Sequence, residues 1–235
     1  MPYIALAMQE RITLTLVTLV LLSWAPVATR ADTAADAYQA MGIDPSDVLT
    51  GTLLNAKVLP GPDKQVVTVT TYLTGSQEKD DAVSVRLDVF RRAGERLTPV
   101  YGRDFGNESG GPVGDGELQL IDLDLDGINE IIASYRSFLD PLIEQRLGEV
   151  VVNEGGEFRS AWSGPLDYDA TKAARSVPRE RRDRFRREFD FANTMRTRGI
   201  TLFVNKQMIA VAGERLSQPK VIQETFPLRP PETTR

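Results

Sequence analysis

Two stretches of this chain have strand-like alternation, one of them β-branched and the other strict, and that pattern narrows the fold more than any other feature. Gln65 to Thr74 reads QVVTVTTYLT, and Ala82 to Arg91 reads AVSVRLDVFR, with Val83, Val85, Leu87 and Val89 on one face. Period two is the repeat of a strand that buries one side. Around these runs the turn signals are close-set, so the strands join as antiparallel hairpins. Ala93-Gly94-Glu95 turns the second run back through Arg96 to Gly102. Glu117 to Asp126 and Glu130 to Tyr135 flank a tight acidic loop. Gly148 to Glu154 and Phe158 to Ser163 form a further hairpin through Gly155-Gly156. At 235 residues and 41% hydrophobic, the chain can bury a substantial core.

After the hairpins the pattern changes. Pro178 sits where the first turn of a helix would be, and Phe185, Phe189, Ala192 and Met195 recur at helical spacing up to Gly199. The segment predicts one amphipathic, arginine-rich C-terminal helix over 176–198. Ile200 to Gly213 predicts a final hairpin. Ala34 to Met41 predicts a short helix closed by Gly42 and the Asp44-Pro45 turn.

Chemistry is limited by two absences. The chain has no cysteine and no histidine. Disulfides, thiolate zinc sites, thiol nucleophiles and the Ser-His-Asp arrangement are therefore excluded. Any metal must be held by oxygen, which favours Ca²⁺ or Mg²⁺. A net charge of −5 gives no global attraction to nucleic acid.

Near the start, an uncharged run from Ile12 to Ala28 follows Glu10-Arg11 and ends in Pro26 and small residues. This has the form of a secretory signal cleaved after Ala28 or Ala31, with Met8 as an alternative start. A periplasmic or secreted location follows, with membrane contact through this segment or the basic helix. The organisation predicted is a signal over 1–31, a helical linker over 32–50, a β domain over 51–164, a helix with a hairpin packed on it over 165–226, and a loose tail over 227–235.

The candidate site is the stretch LIDLDLDGINEII, residues 120–132. Asp122, Asp124 and Asp126 alternate, Gly127 permits a sharp turn, and Glu130 follows. Calcium takes six to eight oxygens at roughly 2.3–2.6 Å in irregular geometry, and such a loop can converge its carboxylates on one point. The predicted ligands are Asp122, Asp124, Asp126, the carbonyl of Ile128, and Glu130. An EF-hand opens in the same way but needs a bidentate Glu at loop position twelve, and that position is Ala133. The alternative is an Asp-Gly hairpin with solvated acids, which three alternating aspartates disfavour as poor strand formers.

The run from Asp122 to Glu130, followed by Ile131-Ile132-Ala133, resembles the calcium loop of FG-GAP/VCBS repeats, the blades of integrin-α-type propellers. Gly155-Gly156-Glu157-Phe158 stands where that repeat has its closing turn. The resemblance covers about Glu117 to Ser163. It departs from the family in ending on Glu130 where Asp is commoner, and in having one acidic loop; KVLPGPDKQ, residues 57–65, has lost nearly all its acids. Similar turns at Gly94, Gly156 and Gly213 lie roughly sixty residues apart.

The resemblance implies a mainly β fold of propeller-blade-like hairpins, too short to close, with the basic helix over its edge. With export expected from the apolar N-terminal run and calcium from the acidic loop, the resemblance adds interaction with a protein or glycan partner, and the chain reads as a non-catalytic, exported calcium-binding module. Two other readings stand beside it. One is a calcium-stabilised periplasmic hydrolase using Asp104, Glu108, Asp115 or Glu117. The other is an envelope-surface protein docking anionic lipid or polysaccharide through Arg181, Arg182, Arg186 and Arg187.

Overall fold

The computed structural model describes residues 28–74, 83–94, 96–106, 113–140, 143–173 and 177–229. The expected signal segment up to residue 27 and the end of the tail lie outside them. The fold is mainly β, with two antiparallel sheets. α1 (Ala28–Met41) precedes a four-stranded meander in which β1 (Val48–Ala56), β2 (Gln65–Leu73), β3 (Val83–Ala93) and β4 (Arg96–Asp104) lie in chain order. The second sheet is another meander of seven strands: β5 (Val113–Ile121), β6 (Glu130–Asp140), β7 (Ile143–Glu154), β8 (Glu157–Asp169), β9 (Arg184–Phe189), β10 (Thr201–Val211) and β11 (Glu214–Pro227). Gly94, Gly156 and Gly213 take positive φ at the β3–β4, β7–β8 and β10–β11 turns, so the three similar turns are all hairpin ends.

The alternation in β3 does what its period dictates. Val85, Leu87 and Val89 are fully buried and meet Val67 and Val69 of β2 on one side of the sheet. Against them pack Leu118, Ile131, Ala133 and Val151 of the second sheet, so the two sheets share a core. β5 can lie this close because Gly116 has no side chain; a Cβ there would fall 2.4 Å from Val69 Cγ1. α1 closes the other side of the first sheet, where Ala37 meets Val66 and Phe90.

A second core occupies the other face of β6–β8. Ile132, Val150, Val152 and Trp162 meet Leu202 and Val204 of β10 there, with Phe189 and Phe226 alongside. The sheet reaches this shape because β8 and β9 pair over three residues each, Asp167–Asp169 against Arg184–Arg186. Beyond that the strands part and aromatic rings fill the gap, with Trp162 edge-on to Phe189 at 5.2 Å. Arg187 bridges the opening by donating to the Pro165 carbonyl at 3.0 Å.

The helix expected over 176–198 is not formed. Arg179–Arg181 is a single 3-10 turn, Arg184–Phe189 is β9, and a helix of six residues remains, α2 (Phe191–Arg196). Phe185 and Phe189 are four residues apart, a spacing that satisfies the helical repeat and the strand repeat equally. The stretch RFRREF also alternates, and two long neighbouring strands reward its pairing. The basic segment is therefore an inner strand between β8 and β10, and covers no sheet edge.

Candidate metal centre

The acidic loop joins β5 to β6 and is held from several sides. Leu123 at its root is fully buried. Asn129 is tied to the Lys57 carbonyl twice, by its backbone N–H at 2.7 Å and its side-chain amide at 3.1 Å. Within the loop the aspartates cap backbone donors. Asp122 accepts from the N–H of Asp126 at 3.1 Å and of Gly127 at 2.9 Å. Asp124 accepts from Asp126 N–H at 3.1 Å, and Asp126 accepts from Ile128 N–H at 2.7 Å. Leu125 and Gly127 take positive φ, which wraps the loop tightly.

Three of the predicted ligands come together. One oxygen each from Asp122, Asp124 and Glu130 lie within 4.8 Å of one another. Asp126 is outside that set and more exposed, its side chain turned back on the loop. Ile128 is positioned through its N–H, which donates to Asp126.

Glu130 is the anchor, 1% exposed, and accepts from Leu123 N–H at 2.6 Å. Burial pushes its pKa up to about 7 against the opposing pull of that hydrogen bond, and the Asp124 charge raises it further. Burial also raises Asp124, opposed mainly by Arg229.

Arg229 is the residue that sequence reasoning missed. Its guanidinium forms an ion pair with Asp124 and lies 3.4 Å from Glu130 and 3.8 Å from Asp126. Arg229 is brought there by Leu228, which is fully buried and donates its N–H to the Ile200 carbonyl at 3.0 Å. Arg159 donates to the Leu228 carbonyl at 3.0 Å. No local pattern connects positions 124 and 229; the one signal was an isolated apolar Leu228 in a proline-rich end.

An oxygen-only cluster of three carboxylates, two of them buried, fits a hard divalent cation. It could polarise a bound water or serve as a structural clamp. Among the described residues, the carboxylates weighed for catalysis are each engaged by a neighbouring side chain. Asp104 is engaged by Tyr72 at 2.8 Å and Ser84 at 2.5 Å, Asp115 by Arg136 at 3.3 Å, and Glu117 by Arg146 at 2.5 Å. Glu108 lies outside the described residues. Compared with protein-family profiles, curated proteins and solved structures, the chain matches none. Fold and site thus define the class on their own: a two-sheet antiparallel β protein with a carboxylate cluster able to hold a metal ion.

Proposed function

We propose that the chain is an exported, non-catalytic calcium-binding protein whose FG-GAP/VCBS-like sheets serve interaction with a protein or glycan. The observation that carries this reading is the convergence of Asp122, Asp124 and Glu130 in a loop otherwise locked by backbone hydrogen bonds. Calcium is favoured over magnesium because the cluster sits on an irregular loop, and magnesium demands near-ideal octahedral geometry. The resemblance of residues 117–163 supports the interaction role. The apolar run from Ile12 supports export to the periplasm or beyond.

The test is thermal unfolding of the chain from residue 32 onward, in EGTA and then with Ca²⁺ or Mg²⁺. A ligand confined to the folded state at a hundred times its dissociation constant stabilises by about 2.7 kcal/mol. A Ca²⁺-selective rise in Tm that disappears in Asp124→Ala is expected. Equal midpoints in EGTA and Ca²⁺ would make the loop a plain hairpin turn and overturn the reading.

A further inference from the structure

Two open sheets present four edge strands among the described residues: β1 and β4 on the first, β5 and β11 on the second. An edge strand leaves one row of N–H and C=O groups unpaired and so invites another strand. Charges, proline or a bulge discourage that pairing, and three of the edges carry such features. β4 holds Pro99, with Arg96 and Arg103 near its ends. β5 slips in register between Gly114 and Glu117, with Asp115 at positive φ. β11 holds Pro219 and Lys220 and slips opposite Met208 to Ala210. β1 is different. Its nine residues, VLTGTLLNA from Val48 to Ala56, include no charge and no proline. A slip between Val48 and Thr50 is confined to its start, and from Thr50 to Ala56 it pairs with β2 in unbroken register. Leu49 is 51% exposed, and Thr50, Gly51 and Asn55 are exposed as well.

The first charges on either side of β1 select the strand that fits it. Asp47 precedes β1 and Lys57 follows it, each five residues from Thr52 at the strand's centre. Asp47 donates its N–H to the Asp44 carbonyl, and the Lys57 carbonyl accepts from Asn129. Neither side chain has an ion pair among the described residues, so both charges are available to a partner. A two-fold axis at Thr52 relates an antiparallel pair of β1 strands so that Asp47 of each copy lies at the end where the partner's Lys57 emerges. Thr52 then faces the partner's Thr52, and Gly51 faces the partner's Leu53. The length of the lysine side chain covers the offset introduced by the slip at Leu49. A parallel pair in register would set lysine beside lysine and aspartate beside aspartate. An unrelated strand would need an acidic and a basic residue at this same separation, which a second copy has by symmetry.

We infer that β1 is a dimerisation edge: two copies of the chain join antiparallel through β1, and their four-stranded sheets become one continuous sheet. Backbone hydrogen bonds between the two β1 strands supply the attraction, and the Asp47–Lys57 pairs fix direction and register. Two strands of this length bury less than the ~1,200 Å² typical of tight complexes, so association in the micromolar range is expected. The inference is independent of the calcium reading, since it uses no residue of the acidic cluster.

The experiment is analytical ultracentrifugation of the chain from residue 32 onward, in EGTA so that no cation links two molecules. Wild type is expected to pass from monomer to dimer between about 1 μM and about 1 mM. Asp47→Lys sets lysine against the partner's Lys57, and Lys57→Glu sets glutamate against the partner's Asp47. Each should weaken the dimer roughly tenfold or more. Both sites lie outside the buried clusters, so Tm should hold in each variant. An equimolar mixture of the two variants should recover association close to wild type, because their reversed charges match across the axis. That recovery also separates a lost interface from a lost fold. Hydrogen exchange at the amides of Thr50 to Leu54 should slow in the dimer. Wild type that stays monomeric up to about 1 mM overturns the proposal. So does a dimer that neither single variant weakens, or a mixture that associates no better than its components.

Discussion

Arg103 on β4 reaches across the shared core to an ion pair with Glu149 on β7, joining the two sheets through side chains alone. Glu149 is 2% exposed, and the Arg103 guanidinium also lies over the Phe105 ring at 5.6 Å, itself stacked on Tyr135 at 4.4 Å. Removing one partner of such a pair leaves a buried charge uncompensated, which costs about 3–5 kcal/mol. Arg103→Met should therefore destabilise by about 3 kcal/mol in urea unfolding. The double variant Arg103→Met/Glu149→Leu should recover most of that loss. A double variant no more stable than the single one would refute the pairing as the cause.

Asp88 gives the fold a pH signature. Its carboxyl is fully buried on β3 and its pKa is pushed up to about 6 by burial, with Arg86 at 2.9 Å opposing and the Asp104 charge adding to the rise. A folded pKa raised above the ordinary value of 3.8 means the folded state holds the proton more tightly than the unfolded state. The contribution is complete below about pH 3.8 and is lost as pH rises through about 6. Asp88→Asn should flatten the stability profile across that window. The comparison is urea midpoints of both proteins at intervals from about pH 4 to about pH 7.5, with the wild-type curve falling relative to the variant.

Arg229 and a divalent cation compete for the same oxygens, so Arg229→Gln should act in opposite directions with and without metal. Without metal, Asp124 and Glu130 lose their cationic neighbour, and stability should drop by about 1–3 kcal/mol. With Ca²⁺ available, affinity should rise about tenfold, equivalent to about 1.4 kcal/mol. Calorimetric titration of both proteins, with unfolding in EGTA, reads the two signs. Weakened Ca²⁺ binding in the variant would mean that the guanidinium assists the cation instead of competing with it.

The parts of this arrangement that sequence reveals are those set by neighbours in the chain. Val83, Val85, Leu87 and Val89 declare a strand because period two is written in four residues. Asp122, Asp124 and Glu130 declare a cluster because a tight turn forces them together. Phe185 and Phe189 mislead, because a separation of four residues fits either repeat, and the pairing of β9 with β10 decides between them. Arg103 with Glu149, and Arg229 with Asp124, are invisible beforehand. Each depends on which sheet faces end up in contact, and such contact is settled by the whole chain.

Gly199 bears on the loop through shape. It takes φ +63°, and a Cβ there would lie 2.6 Å from Asp124 Cβ and 3.1 Å from Asp124 Cα. Gly94 has the same φ with nothing within 4 Å of an added Cβ. Gly94→Ala therefore measures left-handed strain alone, roughly 1 kcal/mol. Gly199→Ala should cost more by at least about another 1 kcal/mol and should also weaken Ca²⁺ binding, since the loop backbone must move. Equal losses in the two variants would show that the loop yields freely.

Trp162 reports on the gap between β8 and β9. In the chain from residue 32 onward it is the one tryptophan, because the other is Trp24. It is 7% exposed, with Phe189 at 5.2 Å and Phe226 at 6.0 Å. Its emission should be blue-shifted in the native protein. Leu202→Ala removes a fully buried side chain from the same cluster and should cost about 2–5 kcal/mol. If the far strands are held to β6–β8 by that cluster, Leu202→Ala should shift Trp162 emission to the red at denaturant levels that leave the inter-sheet core folded. The readout is specific to this side of the sheet, since the cluster around Leu87 on the opposite face contains no tryptophan. A single transition, superimposable by fluorescence and circular dichroism in wild type and variant alike, would mean instead that both cores melt as one unit.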